Sequence, residues 1–171
     1  LAISALGGDA LQKTGVTDIT QLGTRLSNVS INTNAGITRI AIRGIGSNAT
    51  QPNLETPIAY HVDGVYVSRG EAQGDSFYDV ERIEVVRGPQ GTLFGKNTPG
   101  GAVLIGTIEP DDILGGRLKL GAGGDGIKTA AGVVNIPLIE DRLAARVSAS
   151  ARRYDGYQQD LYTGNQYFDQ H

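Results

Sequence analysis

Glycines between two strand-like runs are the residues of this sequence that most invite a chemical interpretation. They follow a run at 82–87, lead into another at 102–106, and are Gly88, Gly91, Gly95, Gly100 and Gly101. A glycine-rich loop ending in Gly-Lys-Ser/Thr can hold a phosphate with its backbone N–H groups. Here that motif, read up to Lys96, would need glycine where Gln90 stands and a hydroxyl where Asn97 stands. We therefore interpret the glycines as positions of positive φ or of close backbone approach.

Two other apparent motifs are excluded by the residues that accompany them. Residues 121–126 satisfy Gly-x-Gly-x-x-Gly by letter, but a β-like run follows, and Arg146 stands where an acid is needed. Residues 74–77 read GDSF and resemble the nucleophile block of a lipase family. That family also needs an Asp-x-x-His motif, whereas this sequence offers only Asp169-Gln170-His171 at its end. A hydrolase built on GDSF is therefore a weaker alternative than the two functions given at the end of this section.

The two histidines do not predict a metal site. His61 and His171 lie 110 positions apart and lack neighbouring residues at ligand spacing. His61 stands two positions before Asp63, on the same face of a predicted strand, so we interpret it as a structural histidine whose hydrogen bonds are satisfied. We expect no catalytic residue, no metal site and no cofactor.

Composition limits the class of protein. The chain has 171 residues, of which 25 are glycine, 6% aromatic and 39% apolar, enough for one domain with a modest core. It contains no cysteine, which excludes disulfides and thiolate sites. A net charge of −3 argues against nucleic-acid binding. No apolar run approaches the roughly 18 residues of a membrane helix, and the lack of methionine predicts a processed or truncated chain.

The first part of the chain predicts a small α+β unit. Short helices are expected at 10–14 and 17–27, the second with one apolar stripe, and a strand at 29–31 followed by an exposed turn at 32–36. The period then changes to two, with Thr38, Ile40 and Ile42 on one face of a strand. Loops are expected at 44–57 and 68–76, and strands at 82–86 and 102–105. Between the loops, residues 58–67 predict two strands hinged at Asp63-Gly64, a turn pair that tolerates positive φ.

The sequence after residue 110 predicts antiparallel strands at 117–123, 127–138 and 143–154. The third has the clearest alternation, with Leu143, Ala145, Val147, Ala149 and Ala151 on its apolar face. Such alternation suits a transmembrane barrel strand and a sandwich strand equally well. Three tyrosines at or just beyond its end fit an interfacial girdle and favour the membrane: Tyr154, Tyr157 and Tyr162.

Four ordered motifs resemble the plug domain of TonB-dependent outer-membrane receptors. They are ISALGGDALQKTGVTDITQLGTRLSNVSI near the start, IAIRGIG at 40–46, VDGVYV at 62–67, and RIEVVRGPQGTLFGKN followed by PGGAV. The resemblance implies a globular plug inside a barrel of about 22 strands. The predicted fold class is α+β: a small mixed sheet plug with short helices at 1–110, then about three antiparallel strands of an incomplete transmembrane β-barrel at 111–171. Since three strands cannot close a barrel, we predict a fragment.

The resemblance also implies two kinds of site. Arg43 and Arg87 match the family's plug arginines that pair with carboxylates of the barrel wall, a task suited to the guanidinium fork. Family architecture places the loops at 32–36 and 68–75 at the extracellular apex and the loop at 44–57 on the periplasmic side. The implied ligand contacts at the apex are Asn32, Asn34, Ser68, Arg69, Glu71 and Gln73.

The function implied is active uptake of a scarce nutrient (an iron chelate, cobalamin or a carbohydrate), with the plug gating the barrel and no bond chemistry. The implied partners are TonB with its inner-membrane energising complex, outer-membrane lipid and the small-molecule nutrient, and the implied location is the bacterial outer membrane. The alternative is a stand-alone periplasmic ligand-binding or signalling module with a plug-like fold.

Overall fold

The computed structural model describes residues 2–13, 16, 19–34, 37–46, 56–69, 79–95, 97–124, 127–153, 158–159 and 166–167. The chain divides into two compact units, Leu1–Ile108 and Glu109–His171. Among the described residues, no helix is long and apolar enough to cross a membrane.

The first unit contains eight strands and three short helices within its described residues. In chain order they are β1 (Ala2–Gly7), α1 (Gly8–Lys13), α2 (Ile19–Gly23), β2 (Val29–Asn34), β3 (Ile37–Ile42), β4 (Ile45–Gly46), β5 (Ile58–Val62), β6 (Val65–Tyr66), β7 (Val80–Arg87), α3 (Gly91–Phe94) and β8 (Gly101–Thr107). Five strands form a mixed sheet in the order β1-β7-β8-β5-β6, in which only β5 and β8 run parallel. The other three form an antiparallel sheet in the order β2-β3-β4.

The strand β3 has the period of two that the sequence predicts. Thr38, Ile40 and Ile42 are buried, while the residues between them are half-buried. The turn predicted at 32–36 is wrong in its first half, because β2 continues to Asn34 and pairs with β3 as far as Ile37. Cross-strand pairing, with Thr33 Oγ1 3.1 Å from Thr38 Oγ1, outweighs the low strand propensity of asparagine.

The helix α2 is shorter than predicted. It ends at Gly23 rather than near residue 27, and a turn follows in which Leu22 O accepts hydrogen bonds from the backbone N–H groups of Arg25 and Leu26. A Cβ on Gly23 would lie 3.0 Å from Ile31 N, so glycine lets the helix end pack directly on β2. The apolar stripe is otherwise as predicted, with Ile19 and Leu22 fully buried.

Two tight hairpin turns connect neighbouring strands, one in each sheet. Arg43-Gly44 connects β3 to β4 and Asp63-Gly64 connects β5 to β6, each with positive φ at both positions, as a two-residue type I′ turn requires. Asp63 also joins the hairpin to β8: its Oδ1 accepts the Thr107 N–H and its Oδ2 accepts the Thr107 hydroxyl, both at 2.8 Å.

One hydrophobic core holds α1, α2 and both sheets of this unit together. Its buried members are Leu11, Val16, Ile19, Leu22, Val29, Ile40, Ile42, Ile58, Tyr60, Val80, Ile83, Val85, Val103 and Ile105. They come from α1, α2 and both sheets, so the short elements are stabilised by packing rather than by helix propensity.

The second unit is an antiparallel sheet of β9 (Gly115–Ala122), β10 (Lys128–Ile139) and β11 (Leu143–Arg153), with short strands β12 (Gln158–Gln159) and β13 (Gln166–Tyr167) paired with each other later in the chain. The register places Leu118, Gly132 and Ala149 side by side on one face, and Arg117, Val133 and Ser148 on the other. The apolar face is exposed, since Leu118 is 72% and Val147 59% accessible. The alternation predicted for one strand therefore extends across all three.

Candidate functional site

The glycine loop at 88–100 closes on the protein's own backbone. Its N–H groups donate to carbonyls of the same unit: Gly88 to Gly100, Gln90 to Thr98, and both Leu93 and Phe94 to Gln90. The Thr98 hydroxyl donates to Gly95 O at 2.8 Å, and Thr98 is itself buried. Because these donors already have partners, the loop does not offer them to a phosphate, in agreement with the mismatched sequence motif.

Two glycines at the end of the loop lie where a side chain does not fit. A Cβ at Gly100 would overlap Ile58 Cδ1 and lie 2.8 Å from Ile45 Cγ2. Gly101 has φ +139°, and a Cβ there would collide with Val86 O. Of the other predicted loop glycines, Gly88 and Gly95 have positive φ in open space. Gly91, which begins α3, has no positive φ, and a Cβ there would make only an ordinary contact, with Thr98 Oγ1 at 3.9 Å. The loop is thus held tightly against β5 and β7.

Arg87, at the end of β7, fastens two other segments to the sheet. Its Nη1 donates to Ser4 Oγ at 2.8 Å and its Nη2 donates to the Ser27 carbonyl at 3.2 Å. Ser4 lies in the first strand and Ser27 in the turn after α2, so one guanidinium joins three separate parts of the chain. Sequence reasoning selected Arg87 but missed these two serines, because nothing in their immediate sequence distinguishes them from surface residues.

Arg43 occupies an unusual backbone position. It is the first residue of the β3–β4 turn, has φ +53°, and its N–H donates to Asn28 O at 2.8 Å. Its side chain is exposed and makes no hydrogen bond or ion pair with any residue that the structure describes. A long cationic side chain at a position where glycine or asparagine is preferred needs a reason other than local stability.

Replacing Arg43 by glycine should stabilise the first unit by about 0.5–1 kcal/mol, because glycine adopts φ > 0 without steric cost. Arg43→Ala removes the same charge but keeps the strain, so we expect no gain from it. Denaturant unfolding of both variants provides the comparison. A loss of stability in Arg43→Gly would show that the guanidinium has an internal partner after all.

The predicted ligand contacts are only partly placed by the structure. Asn32 is exposed on β2, opposite Arg39, and Asn34 ends that strand, with only its backbone described. Ser68 and Arg69 are exposed after β6, while Glu71 and Gln73 lie outside the described residues. Within the described part of the chain, no hydrogen bond joins Asn32 to Ser68 or Arg69, so their common role stays a prediction.

A small ring cluster lies where β5, β6 and α3 meet. The His61 ring is 5.5 Å from Tyr66 and 5.6 Å from Phe94, and Asn97 Nδ2 donates to the Tyr66 hydroxyl at 3.1 Å. His61 Nδ1 lies 3.4 Å from Gly64 O, whereas its buried Nε2 has no partner among the described residues. The histidine packs against two rings, but its side chain is not fully satisfied within the described residues, which differs from the prediction.

The described residues contain no group of three or more His, Cys, Asp or Glu side chains that could hold a metal ion. The GDSF motif at 74–77 lies outside them. What the structure does present is a small mixed sheet with a tightly closed glycine loop, followed in the chain by antiparallel strands with one apolar and one polar face. A domain of this kind, followed by barrel-type strands, is the arrangement of an outer-membrane receptor plug.

Comparison with known proteins gives the family. Residues 1–102, more than half of the chain, match the model of the TonB-dependent Receptor Plug Domain. The chain belongs to this family, as its motifs predicted. It is 36% identical to the ferrioxamine B receptor of Salmonella typhimurium over 104 residues, which cover 55% of this chain and 15% of that protein. Over 114 residues it is 33% identical to the pesticin receptor of Yersinia pestis, covering 65% and 16%.

Solved structures give the same fold. The ferric yersiniabactin uptake receptor FyuA from Yersinia pestis superposes with a TM-score of 0.87 at 26% identity, covering 100% of this chain and 27% of that one. The ferripyoverdine receptor of Pseudomonas aeruginosa superposes at 0.74 with 18% identity, covering 91% and 20%. The predicted fold class is therefore confirmed: a mixed sheet plug with few helices, then antiparallel strands that do not close a barrel. The chain spans less than a fifth of the length of the curated relatives described above.

Proposed function

We propose that this chain is part of a TonB-dependent outer-membrane receptor that takes up a scarce nutrient, with the first unit as the plug that gates the barrel. The observation that carries the proposal is the family match over residues 1–102. The superposition of the whole chain on the FyuA receptor supports it independently of sequence motifs. TonB and its inner-membrane energising complex are the partners we infer from membership of the family.

An iron chelate is the nutrient class that we favour. Relatives are named for ferrioxamine B, and the structural neighbour FyuA for ferric yersiniabactin. A more distant relative, 30% identical over 127 residues, is the vitamin B12 transporter of Vibrio vulnificus, so cobalamin is the second class and carbohydrate the third. We infer that the nutrient meets the plug at the apex loops, through Asn32, Ser68 and Arg69, and through Asn34, Glu71 and Gln73 beside them.

Both arginines have N–H donors left with which to bind a barrel wall. A guanidinium has five N–H donors, and the bonds from Arg87 to Ser4 and Ser27 use two of them. Arg43 uses none within the described residues. We infer that both bind carboxylates of the wall, which would explain why a strained turn position carries arginine instead of glycine.

The second unit supports a membrane location. Its apolar face exposes large side chains, among them Leu118, Leu120 and Val147, at 59–72% accessibility. Soluble monomers rarely leave a contiguous apolar surface of this kind uncovered, whereas barrel strands present one to lipid. We infer contact with outer-membrane lipid on this face and a polar lumen on the other. The family consists of transport receptors, and we infer that the protein carries out no bond chemistry.

Uptake measurements test the proposal. The whole gene product should restore accumulation of radiolabelled ferric chelates in cells that lack their own receptors, and deletion of TonB should return accumulation to background. Labelled cobalamin and labelled oligosaccharides, tested in parallel, show which class of nutrient is taken up. Membrane fractionation distinguishes the receptor from a stand-alone periplasmic module, since such a module would be released with the soluble fraction. Accumulation that is independent of TonB would contradict the proposed mechanism.

A further inference from the structure

The segment that opens the second unit, residues 109–114, has no apolar anchor of its own. We call it the connector. Its two large apolar side chains, Ile113 and Leu114, are 71% and 72% exposed, so hydrophobic burial does not fix its path. An open cavity of about 250 Å³ lies beside it, with Arg117 and Arg146 in its lining. Whatever holds the connector in place must therefore do so by polar contacts.

Asn135 supplies those contacts. It lies on the polar face of the central strand β10 and is only 3% exposed, the one buried polar side chain among the described residues of the second unit. Its Oδ1 accepts the Asp111 N–H at 3.2 Å. Its Nδ2 donates to Asp111 O at 2.8 Å, Asp111 Oδ1 at 2.7 Å and Ile113 O at 2.8 Å.

The match between this side chain and the connector depends on its amide. A primary amide offers one acceptor oxygen and two N–H donors. The connector presents one donor and three acceptors to it, so one of the two N–H groups is shared between two acceptors. Asp111 completes the arrangement, because its Oδ1 also accepts the Ile113 N–H at 3.1 Å. Losing the amide would break four hydrogen bonds at once, all of them to polar groups of Asp111 and Ile113.

We propose that Asn135 is the anchor of the connector, fixing Asp111 and Ile113 to the sheet just before β9 begins. Residues from Asp111 onward then stay with that sheet, whatever happens to the chain before Pro110. The anchor would keep displacement of a plug from being transmitted into β9. Its existence does not depend on which nutrient is carried, or on uptake at all.

Hydrogen exchange of the whole protein in detergent or lipid tests the anchor. In Asn135→Leu we expect peptides covering 109–114 to exchange roughly tenfold faster, because the loss of a buried hydrogen-bonding partner favours local opening. Ser148→Ala is the matched control: it removes a polar group from the same sheet, on β11, without touching the connector. The control should leave exchange unchanged.

A second variant covers the case in which Asn135→Leu does not fold. Asp111→Ala removes one acceptor of Asn135 and of the Ile113 N–H but leaves the sheet untouched, so we expect a smaller acceleration. A nitroxide attached through Asp112→Cys, at an exposed position of the connector, should become more mobile in both variants. Wild-type exchange and label mobility in either folded variant would overturn the proposal. Since neither readout involves transport, failure of the anchor and failure of nutrient uptake are separate outcomes.

Discussion

Replacing Gly101 by alanine is expected to lower the free energy of unfolding of the first unit by about 3–5 kcal/mol, among the largest effects of a single substitution. Two causes combine. The residue has φ +139°, a region that is costly for any residue with a side chain. In addition, its Cβ would collide with Val86 O and lie 3.2 Å from Ile42 Cδ1. Both neighbours belong to fully formed strands, so neither can move without disturbing the core.

Two other glycines of the loop separate these causes. Gly88 has φ +95°, but no atom lies within 4 Å of the position that a Cβ would occupy, so Gly88→Ala should cost only about 1–2 kcal/mol. Gly91 has no positive φ and an open environment, so Gly91→Ala at the start of α3 should be close to neutral. Hydrogen exchange in peptides covering β7 and β8 measures the series. Equal effects at Gly88 and Gly101 would show that the collision with Val86 is relieved by relaxation.

Removing the Arg87 side chain is expected to loosen β1 selectively. Arg87→Ala deletes the bonds to Ser4 Oγ and Ser27 O, with a loss of about 1–3 kcal/mol because the donor in each pair is charged. The loss should be concentrated in the chain segments that the guanidinium joins. Amides of β1 should therefore exchange faster, while those of β8 stay protected.

Arg82 is the matched control for Arg87, since it lies on the same strand and has ion pairs of its own. Its partners Glu81 and Glu84 are 3.1 and 2.9 Å away, but the guanidinium is more than half exposed, so Arg82→Ala should cost under about 0.5 kcal/mol. Ser4→Ala removes one Arg87 bond and should account for about 1 kcal/mol. An Arg82 variant as damaging as the Arg87 variant would contradict a specific role for Arg87.

Local sequence signals predicted the parts of the fold that depend on short-range patterns. The period of two in β3, the Asp63-Gly64 hairpin and the strands of the second unit follow from residue spacing, and their positions agree to within a few residues. The motif around Arg87 was sufficient for the family. These features share a cause that is visible within about ten residues of sequence.

Features that depend on partners distant in sequence were not predictable. The β2 strand extends through Asn32 because β3 pairs with it, although asparagine alone favours a turn. Gly23, at the end of α2, has room for no larger side chain because Ile31 packs against it. Arg87 bonds Ser4, 83 positions away, and Asn135 bonds Asp111, 24 positions away. For the candidate site, the sequence selected the arginines, whereas only the tertiary structure identifies what they touch.

The order of strands in the main sheet makes its two chain ends mechanically unequal. β1, the first strand in the chain, lies at an edge and, in the described part of the chain, pairs only with β7, whereas β8, the last strand of that unit, is held between β7 and β5. Tension applied from the amino end would have to break one ladder of backbone bonds to detach a strand. Tension from the carboxyl end would have to break two at once. Tension from the amino end can thus detach β1 alone, with the remaining four strands still paired.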